Sequence, residues 1–122
     1  VGSYADLDID IEAALAARDT TDGLEVDLQP SLLNPAGVLQ GGVASLIAEI
    51  AAERVVERHL DRPHVVAGMD VRYVNMGRVG PIRAVVAPIG RPADASVVVK
   101  LVDTGADDRI VTHNLVDFTP AP

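Results

Sequence analysis

The pattern of hydrophobic and polar positions divides the chain into one long helix and several strands. Residues 23–29 alternate between aliphatic and polar side chains, which predicts a half-buried strand. Apolar residues recur at helical spacing from the Gly41-Gly42 pair to Leu60, and Asp61-Arg62-Pro63 ends that segment. A shorter helix is predicted over residues 10–18, where alanines and leucine form one face.

After Pro63 the pattern changes to strands. Residues 65–76, 82–89, 96–102 and 109–118 are rich in Val and Ile and are separated by Gly-, Pro- and Asp-containing turns. The turns are short, so these segments predict an antiparallel meander. Since the first half of the long helix is apolar on nearly every side, a sheet must surround it. The expected architecture is α+β, with five antiparallel strands wrapped around one long central helix.

Composition narrows the class of protein. The 122 residues fit a single domain over residues 1–122, and 48% hydrophobic against 2% aromatic residues predicts a core of Val, Ala, Leu and Ile. The sequence contains no apolar run long enough for a membrane span and no signal-peptide pattern, so a cytoplasmic location is expected. The absence of cysteine excludes disulfides and thiol catalysis. Because the chain starts without Met, it is expected to be a fragment, with half of a tandem protein as one form of it.

Charge is unevenly distributed along the chain. A formal charge of −8 argues against a nucleic-acid partner. Against Asp94 alone, residues 71–101 nevertheless carry five cations: Arg72, Arg78, Arg83, Arg91 and Lys100. A basic segment in an acidic protein can bind a phosphorylated ligand such as coenzyme A, and Arg91, directly after Gly90, is the first candidate. The alternative is that these are ordinary solvated charges on strand faces.

Two chemically different features lie close together near the start of the long helix. At Gly41-Gly42 the first backbone N–H groups have no acceptor within the helix and form a site for developing negative charge. Seven residues after Gly42, Glu49 places a carboxylate among Leu, Ile and Ala, where it must be paired or used. Together they predict acyl transfer or hydrolysis without a serine or cysteine nucleophile. A structural ion pair, or simple exposure of Glu49, is the alternative.

The region around the glycine pair resembles the hotdog-fold acyl-CoA thioesterases, in particular the phenylacetate-pathway and 4-hydroxybenzoyl-CoA type. Those enzymes carry an Asn, a Gly-containing turn, His-Gly-Gly and then an acid on the helix. Asn34, Gly37, Gly41-Gly42 and Glu49 stand in register with that pattern, whereas Gln40 replaces the histidine. The strand order downstream extends the resemblance over residues 23–118.

The resemblance implies the hotdog fold and hydrolysis of an acyl-CoA to free acid and CoA. Glu49 would act as nucleophile or as general base, and the N–H of Gly41 would stabilise the oxyanion, with Gly42 letting the acyl group approach the backbone. Asn34 would contact the thioester carbonyl or the attacking water, although a turn before Pro35 explains it equally well. Gln40 can form hydrogen bonds but cannot carry a proton between steps.

Two other interpretations stay open. One is an enoyl-CoA hydratase of the same fold, whose Asp and His motif is not found here. The other is a non-catalytic acyl-CoA-binding module, which Gln40 and the expected missing N-terminus leave open. No cofactor is expected because CoA is part of the substrate, and no metal is expected because the three histidines lack metal-ligand spacing.

A homodimer or homotetramer with sites at the subunit interface is the expected assembly. A five-stranded sheet around one helix leaves an open edge, and residues 65–76 are apolar on both sides in places. Pairing two copies edge to edge would bury this strand and bring the basic strands of one subunit near Glu49 of the other. By resemblance, CoA would bind in that groove. Asp70 and Arg72, on one strand face, are expected to pair with each other or with neighbours.

Overall fold

The computed structural model describes residues 11–91 and 94–122. Two α-helices are α1 (Ile11–Leu15) and α2 (Gly41–His59). The strands are β1 (Arg18–Thr20), β2 (Gly23–Val26), β3 (His64–Tyr73), β4 (Ile82–Ile89), β5 (Ser96–Asp103) and β6 (Arg109–Pro120). The predicted start of the first helix, Asp10, lies outside the described residues, and the predicted bounds of β4 are confirmed.

All strands in the described residues belong to one antiparallel sheet of six strands, in the order β1-β2-β4-β5-β6-β3. The prediction of five strands was wrong because it omitted β1. This strand forms a tight hairpin with β2, in which Thr20 pairs with Gly23. The side chain of Arg18 holds the hairpin together, at 2.9 Å from Asp27 and 3.5 Å from Glu25. The three residues of β1 do not alternate between hydrophobic and polar side chains, so the sequence contains no pattern that predicts this strand.

The predicted meander of four consecutive strands was also wrong, because its first strand, β3, does not pair with β4. β4, β5 and β6 follow one another as hairpins, but β3 pairs with β6, and β2 takes the place beside β4. Residues 74–81 between β3 and β4 are too many for a tight hairpin turn. The twelve-residue β6 is long enough to pair with β5 on one side and β3 on the other. As a result β3 lies at an edge of the sheet.

The helix α2 packs across one face of the sheet, which confirms the predicted helix wrapped by strands. Its buried side chains are small or aliphatic: Ala44, Ile47, Ala48, Ile50, Ala51, Ala52 and Val56. The alanines let the helix approach the sheet closely, and the strands supply the larger aliphatic side chains of the core, such as Leu24, Ile82 and Leu101. Each such side chain contributes about 1.5–3 kcal/mol when fully buried. Replacing Ala48, which is fully buried, with leucine should cost about 1–3 kcal/mol through overpacking.

Few polar side chains enter this core. Asn114 on β6 is fully buried, and its Nδ2 donates to the Val99 carbonyl and to Thr112 Oγ1, both at 2.9 Å. Its Oδ1 accepts no hydrogen bond within the described part of the chain. No helix in residues 11–91 and 94–122 is long and apolar enough to cross a membrane.

Candidate active site

The start of α2 leaves backbone donors open. Gln40 precedes the helix in an extended conformation, and its side chain does not cap it. Ala44 is the first residue whose N–H bonds back along the helix, to the Gln40 carbonyl at 2.9 Å. The N–H groups of Gly41, Gly42 and Val43 therefore have no intrahelical acceptor, and both glycines are exposed. This is the geometry that favours an anion or a developing oxyanion.

An apolar recess of about 350 Å³ adjoins Gly41. Its floor is made of buried aliphatic side chains: Val38, Leu39, Ala44 and Val111. Tyr73, Val74 and Met76 form an exposed apolar rim, with 58%, 51% and 59% of their surface accessible. The recess thus combines an apolar floor with open backbone donors at its side, as ligand sites do.

Tyr73 connects the edge strand to the first turn of α2. Its hydroxyl lies 3.1 Å from the Gly41 carbonyl and 2.8 Å from Ser45 Oγ, while Ser45 Oγ lies 3.2 Å from the same carbonyl. The two hydroxyls have one hydrogen each, so they can supply only two of these three contacts at once. Sequence reasoning did not select Tyr73, although it is the one aromatic residue in the predicted strand over residues 65–76.

Glu49 lies on the same face of α2 as Gly41 and Ser45, because the three are spaced four residues apart. Since Tyr73 contacts both Gly41 and Ser45, this face looks towards the edge strand β3. Glu49 is half-buried, and no hydrogen bond or ion pair engages it among residues 11–91 and 94–122. A carboxylate in this position is available for chemistry.

Asn34 and Gln40 are held by the loop that precedes the helix. Asn34 Oδ1 accepts from the N–H groups of Ala36, at 3.0 Å, and Val38, at 3.3 Å, as in a turn. The residue also lines the recess, and its side-chain NH₂ donates no hydrogen bond within the described ranges. Gln40 Nε2 donates to the Leu33 carbonyl at 3.2 Å. Both residues therefore support the loop beside Gly41, and Asn34 also reaches the site.

The predicted phosphate-binding cations are dispersed. Arg78 follows Gly77, whose carbonyl accepts from Leu39 N–H at 2.9 Å, and therefore lies at the Gly41 end of α2. Arg91 borders a hollow with His59 and Leu60, at the opposite end of the helix. Eighteen helical residues separate the two ends, or about 27 Å. Arg91 and Gly41 of one chain are thus far apart.

The other candidate cations occupy the sheet. Arg83 is 3.3 Å from Asp22, and Arg91 is itself 3.4 Å from Asp94. Arg72 projects from the outer face of β3, opposite His113 on β6, and Lys100 stands opposite His113 on the other side. The expected pairing of Asp70 with Arg72 or a neighbour is not found among the described residues.

The loop that carries Arg78 is fixed by a buried carboxylate. Asp103 at the end of β5 is 1% exposed and accepts from the backbone N–H groups of Arg78, Val79 and Gly80 at 2.8, 3.0 and 2.7 Å. Burial by itself raises the pKa of this carboxyl, but the backbone hydrogen bonds outweigh it and hold the pKa below its ordinary value. Asp103 remains charged and fixes residues 78–80, which directly follow Gly77 at the edge of the recess.

A further hollow of about 370 Å³ lies at the far end of α2, and its polar lining residues are Glu53, Glu57, Asp61, Arg62 and His64. Its carboxylates outnumber its guanidinium three to one, so this hollow suits an anionic ligand such as CoA poorly. No cluster of three His, Asp or Glu side chains able to hold a metal occurs in the part of the chain that the structure describes.

Several solved structures share this fold. BH2602 from Bacillus halodurans, crystallised with CoA, superposes with a TM-score of 0.75 at 18% identity, over 88% of this chain and 73% of that one. AziG from S. sahachiroi gives 0.74 at 24% identity, over 98% and 96%. The thioesterase HI1161 from Haemophilus influenzae gives 0.71 at 16% identity, over 97% and 90%.

At these identities the likeness shows the fold alone. No protein-family model matches the sequence, and no curated protein matches it either. One long helix packed against an antiparallel sheet, shared with these structures over most of the chain, is the hotdog fold.

Proposed function

We propose that this protein hydrolyses an acyl-CoA thioester to the free acid and CoA. The observation that carries the proposal is the placement of Glu49, a carboxylate with no partner among residues 11–91 and 94–122, on the face of α2 that begins with the open N–H groups of Gly41 and Gly42. The apolar recess beside Gly41 suits an uncharged acyl group. The CoA-bound neighbour and the neighbouring thioesterase, which share the fold, are consistent with this ligand and reaction.

The residues would divide the reaction between them. The Gly41 N–H donates to the carbonyl oxygen as it becomes an oxyanion, aided by the positive end of α2. Glu49 either removes a proton from water that attacks the carbonyl carbon, or attacks that carbon itself. The C–S bond then breaks, and the CoA thiolate leaves and takes up a proton. Gln40 cannot supply that proton, so in the first route it returns from Glu49. In the second route the acyl group remains on Glu49 as a mixed anhydride. Water then cleaves this anhydride to the free acid, which restores the Glu49 carboxylate, and the proton that the water loses goes to the CoA thiolate.

The site would be shared between two subunits. Gly41 and Glu49 are separated by eight helical residues, or about 12 Å along the axis. A glutamate side chain covers less than half of that distance, so the two groups of one chain cannot both reach one carbonyl carbon. Glu49 of one subunit would instead act with Gly41 of the partner subunit. The exposed edge strand β3 beside this helix face supports a homodimer.

Phosphate groups of CoA would meet cations at the rim. We propose Arg78 ahead of Arg91, because Arg78 lies beside the recess and its Nη2 is 3.6 Å from Met76 Sδ on the rim. Arg91 would serve only if the partner subunit brings it closer. Arg83 is engaged with Asp22 and would contribute less.

The test is release of CoA thiol from a panel of acyl-CoAs, with aliphatic, aromatic and carboxylated acyl groups. Turnover of uncharged acyl-CoAs that Glu49→Gln abolishes would support the proposal. Tight binding of the panel without turnover would instead identify an acyl-CoA-binding module. Hydration of an enoyl-CoA without thiol release would overturn the proposal in favour of a hydratase.

A further inference from the structure

We propose that the outer face of the sheet carries a binding site for a phosphate group. The site consists of Arg72 on β3, His113 on β6 and Lys100 on β5, here called the cationic row. It lies on the side of the sheet opposite α2 and is separate from the apolar recess. The inference goes beyond the proposed function and does not depend on it, because it concerns a second ligand.

The strand pairing places the three side chains of the cationic row in one line. His113 stands directly opposite Arg72 on one side and directly opposite Lys100 on the other. Both pairings are regular at this point, since the bulge in each falls outside these residues. Residues directly opposite in antiparallel strands have their Cβ atoms about 4.5–5.5 Å apart on the same face. The row therefore spans about 10 Å, with the imidazole at its centre.

The cationic row points away from α2. Tyr73 contacts α2 through its hydroxyl, and successive residues of a strand point to opposite faces, so Arg72 projects outward. The neighbours of His113 and of Lys100 along their strands are buried, whereas both of these residues are exposed. All three side chains are thus open to solvent on one face of the sheet.

The charge of the cationic row is not balanced. None of its three side chains has a hydrogen bond or ion pair within residues 11–91 and 94–122. In contrast, Arg83 on the same face of β4 is paired with Asp22. The side chains directly around the row include one carboxylate, that of Asp70, two residues before Arg72 on β3. One carboxylate cannot neutralise two permanent cations, so the row is a positive feature in a protein of formal charge −8.

The chemistry of the three side chains suits a phosphate group. Like charges directly opposite each other destabilise a sheet, and a bound anion relieves that repulsion. Arg72 and Lys100 have long side chains at the two ends of the row, which can converge on one anion above His113. The guanidinium matches two phosphate oxygens, and the ammonium adds a point charge. The imidazole has an N–H donor in either protonation state.

Aliphatic side chains border the cationic row. Leu115 on β6 and Val98 on β5 stand opposite each other in the next line of this face, and Leu115 is 38% exposed. Val85 on β4 stands opposite Lys100 and borders the far end of the row. These side chains offer a bound anion neither a repelling charge nor a competing hydrogen bond.

The sheet separates the cationic row from the recess. Tyr73 on the rim of the recess and Arg72 are neighbours in the chain, but they project to opposite faces. A ligand could reach both only by passing around β3, which is the edge that we propose the partner subunit covers. The row is therefore distinct from Arg78, the cation proposed for CoA.

Inorganic phosphate is the probe for this site, and the histidines provide the readout. At fixed pH, sodium phosphate should shift the imidazole NMR signals of His113 saturably, compared with sodium chloride of equal ionic strength. His59 and His64 border the hollows at the far end of α2 and should not respond. No saturable shift at His113, or equal shifts of all three histidines, would overturn the site.

Charge changes in the row and beside it should act in opposite directions. Arg72→Gln and Lys100→Gln should each raise the Kd for phosphate about three- to fivefold, because one charge contact is lost. Asp70→Asn should lower the Kd by a similar factor, because a repelling charge is removed. Arg109→Gln removes a positive charge from β6 outside the row, and as the matched control it should leave the Kd nearly unchanged. Equal effects of Lys100→Gln and Arg109→Gln would indicate diffuse screening and refute the site.

A CoA thioether that cannot be hydrolysed distinguishes this site from the substrate site. Phosphate should still shift the His113 signals when the thioether fills the recess. If the thioether itself moves these signals and abolishes the phosphate response, the row binds a phosphate of the substrate, and a separate site is refuted. None of these measurements reads turnover, so failure of the proposed function leaves the phosphate titration decisive.

Discussion

The phenol oxygen of Tyr73 lies 2.8 Å from the hydroxyl oxygen of Ser45, and this contact ties the edge strand to the first turn of the long helix. Tyr73 is on β3, which we propose as the dimer edge, and Ser45 is one turn from the open N–H of Gly41. Through this contact, a change at the proposed dimer edge would alter the surroundings of the candidate oxyanion site.

The first prediction concerns this contact. Tyr73→Phe keeps the ring but removes the hydroxyl, and Ser45→Ala removes the other partner, so each should lower the free energy of unfolding by about 0.5–1.5 kcal/mol. Because the residues touch, the double variant should cost less than the sum of the two single variants. Chemical denaturation of the four proteins measures this coupling. Strictly additive losses would show that the contact contributes nothing.

Glu49→Gln should lower turnover of an acyl-CoA at least about a hundredfold, the scale expected when a positioned base or nucleophile is lost. The fold should survive, because the substitution keeps the shape of a half-buried side chain that has no partner among the described residues. Glu57→Gln, an exposed change on the same helix, is the control and should keep normal turnover. Near-normal turnover by Glu49→Gln would remove Glu49 from the mechanism.

Gly41→Ala should lower kcat/KM at least about tenfold, since its methyl group would stand beside the N–H that stabilises the oxyanion. The new Cβ would meet the Tyr73 ring at 3.4 Å, an ordinary contact, so folding should be unharmed. Gly42→Ala places its methyl group in open space and provides the comparison. Both should raise helix stability by up to about 1 kcal/mol, measured by thermal unfolding. An equal loss of activity in both variants would contradict a specific role for Gly41.

Acid should weaken the fold through Asp103. The pKa of this carboxyl is held below its ordinary value, so its contribution to stability is present above that value and is lost as the pH falls through the lowered pKa. We expect the unfolding free energy to decline below about pH 4. Asp103→Asn should cost about 1.5–3 kcal/mol at neutral pH and flatten this decline, because charge-assisted hydrogen bonds are lost.

Asp107→Asn is the control for that experiment, since Asp107 is exposed in the turn that follows Asp103. It should leave both the stability and its pH dependence unchanged. If Asp103→Asn and Asp107→Asn change the unfolding free energy and its pH dependence equally, the hydrogen bonds that Asp103 accepts from residues 78–80 do not stabilise the loop.

Arg78→Ala should raise the KM for an acyl-CoA several-fold and flatten the dependence of KM on salt, because a phosphate contact is removed. The kcat should change little. Arg91→Ala, at the other end of α2, should have a smaller effect on both quantities. A larger effect of Arg91→Ala than of Arg78→Ala would restore the preference for Arg91 that is expected from the sequence.

The long helix and the strands were readable because their signals are local. Hydrophobic periodicity and the flanking turn residues define α2, from the glycine pair to the polar turn before Pro63. The same signals define both ends of β4. The same local spacing places Glu49 on the face of Gly41, since a helix fixes the angle between residues four and eight apart. The prediction failed for β1, because this strand has no local sequence signal and its pairing depends on tertiary contacts. β1 carries charge rather than alternation, and its pairing depends on contacts of Arg18 across the hairpin.

By itself, the sequence determined the architecture of one helix and an antiparallel sheet, the aliphatic core, and the neighbourhood of the glycine pair and Glu49, because short-range period and backbone chemistry suffice for these. The tertiary structure decided which strands adjoin. No local sequence signal indicates that β3 pairs with β6 rather than with β4. This pairing places β3 at the edge of the sheet, beside α2. The roles of Tyr73 and Asp103 emerged for the same reason: they consist of contacts between residues 23 to 32 positions apart, and only the fold brings such residues together. The recess likewise is lined by residues from separate parts of the chain, such as Asn34 and Val111.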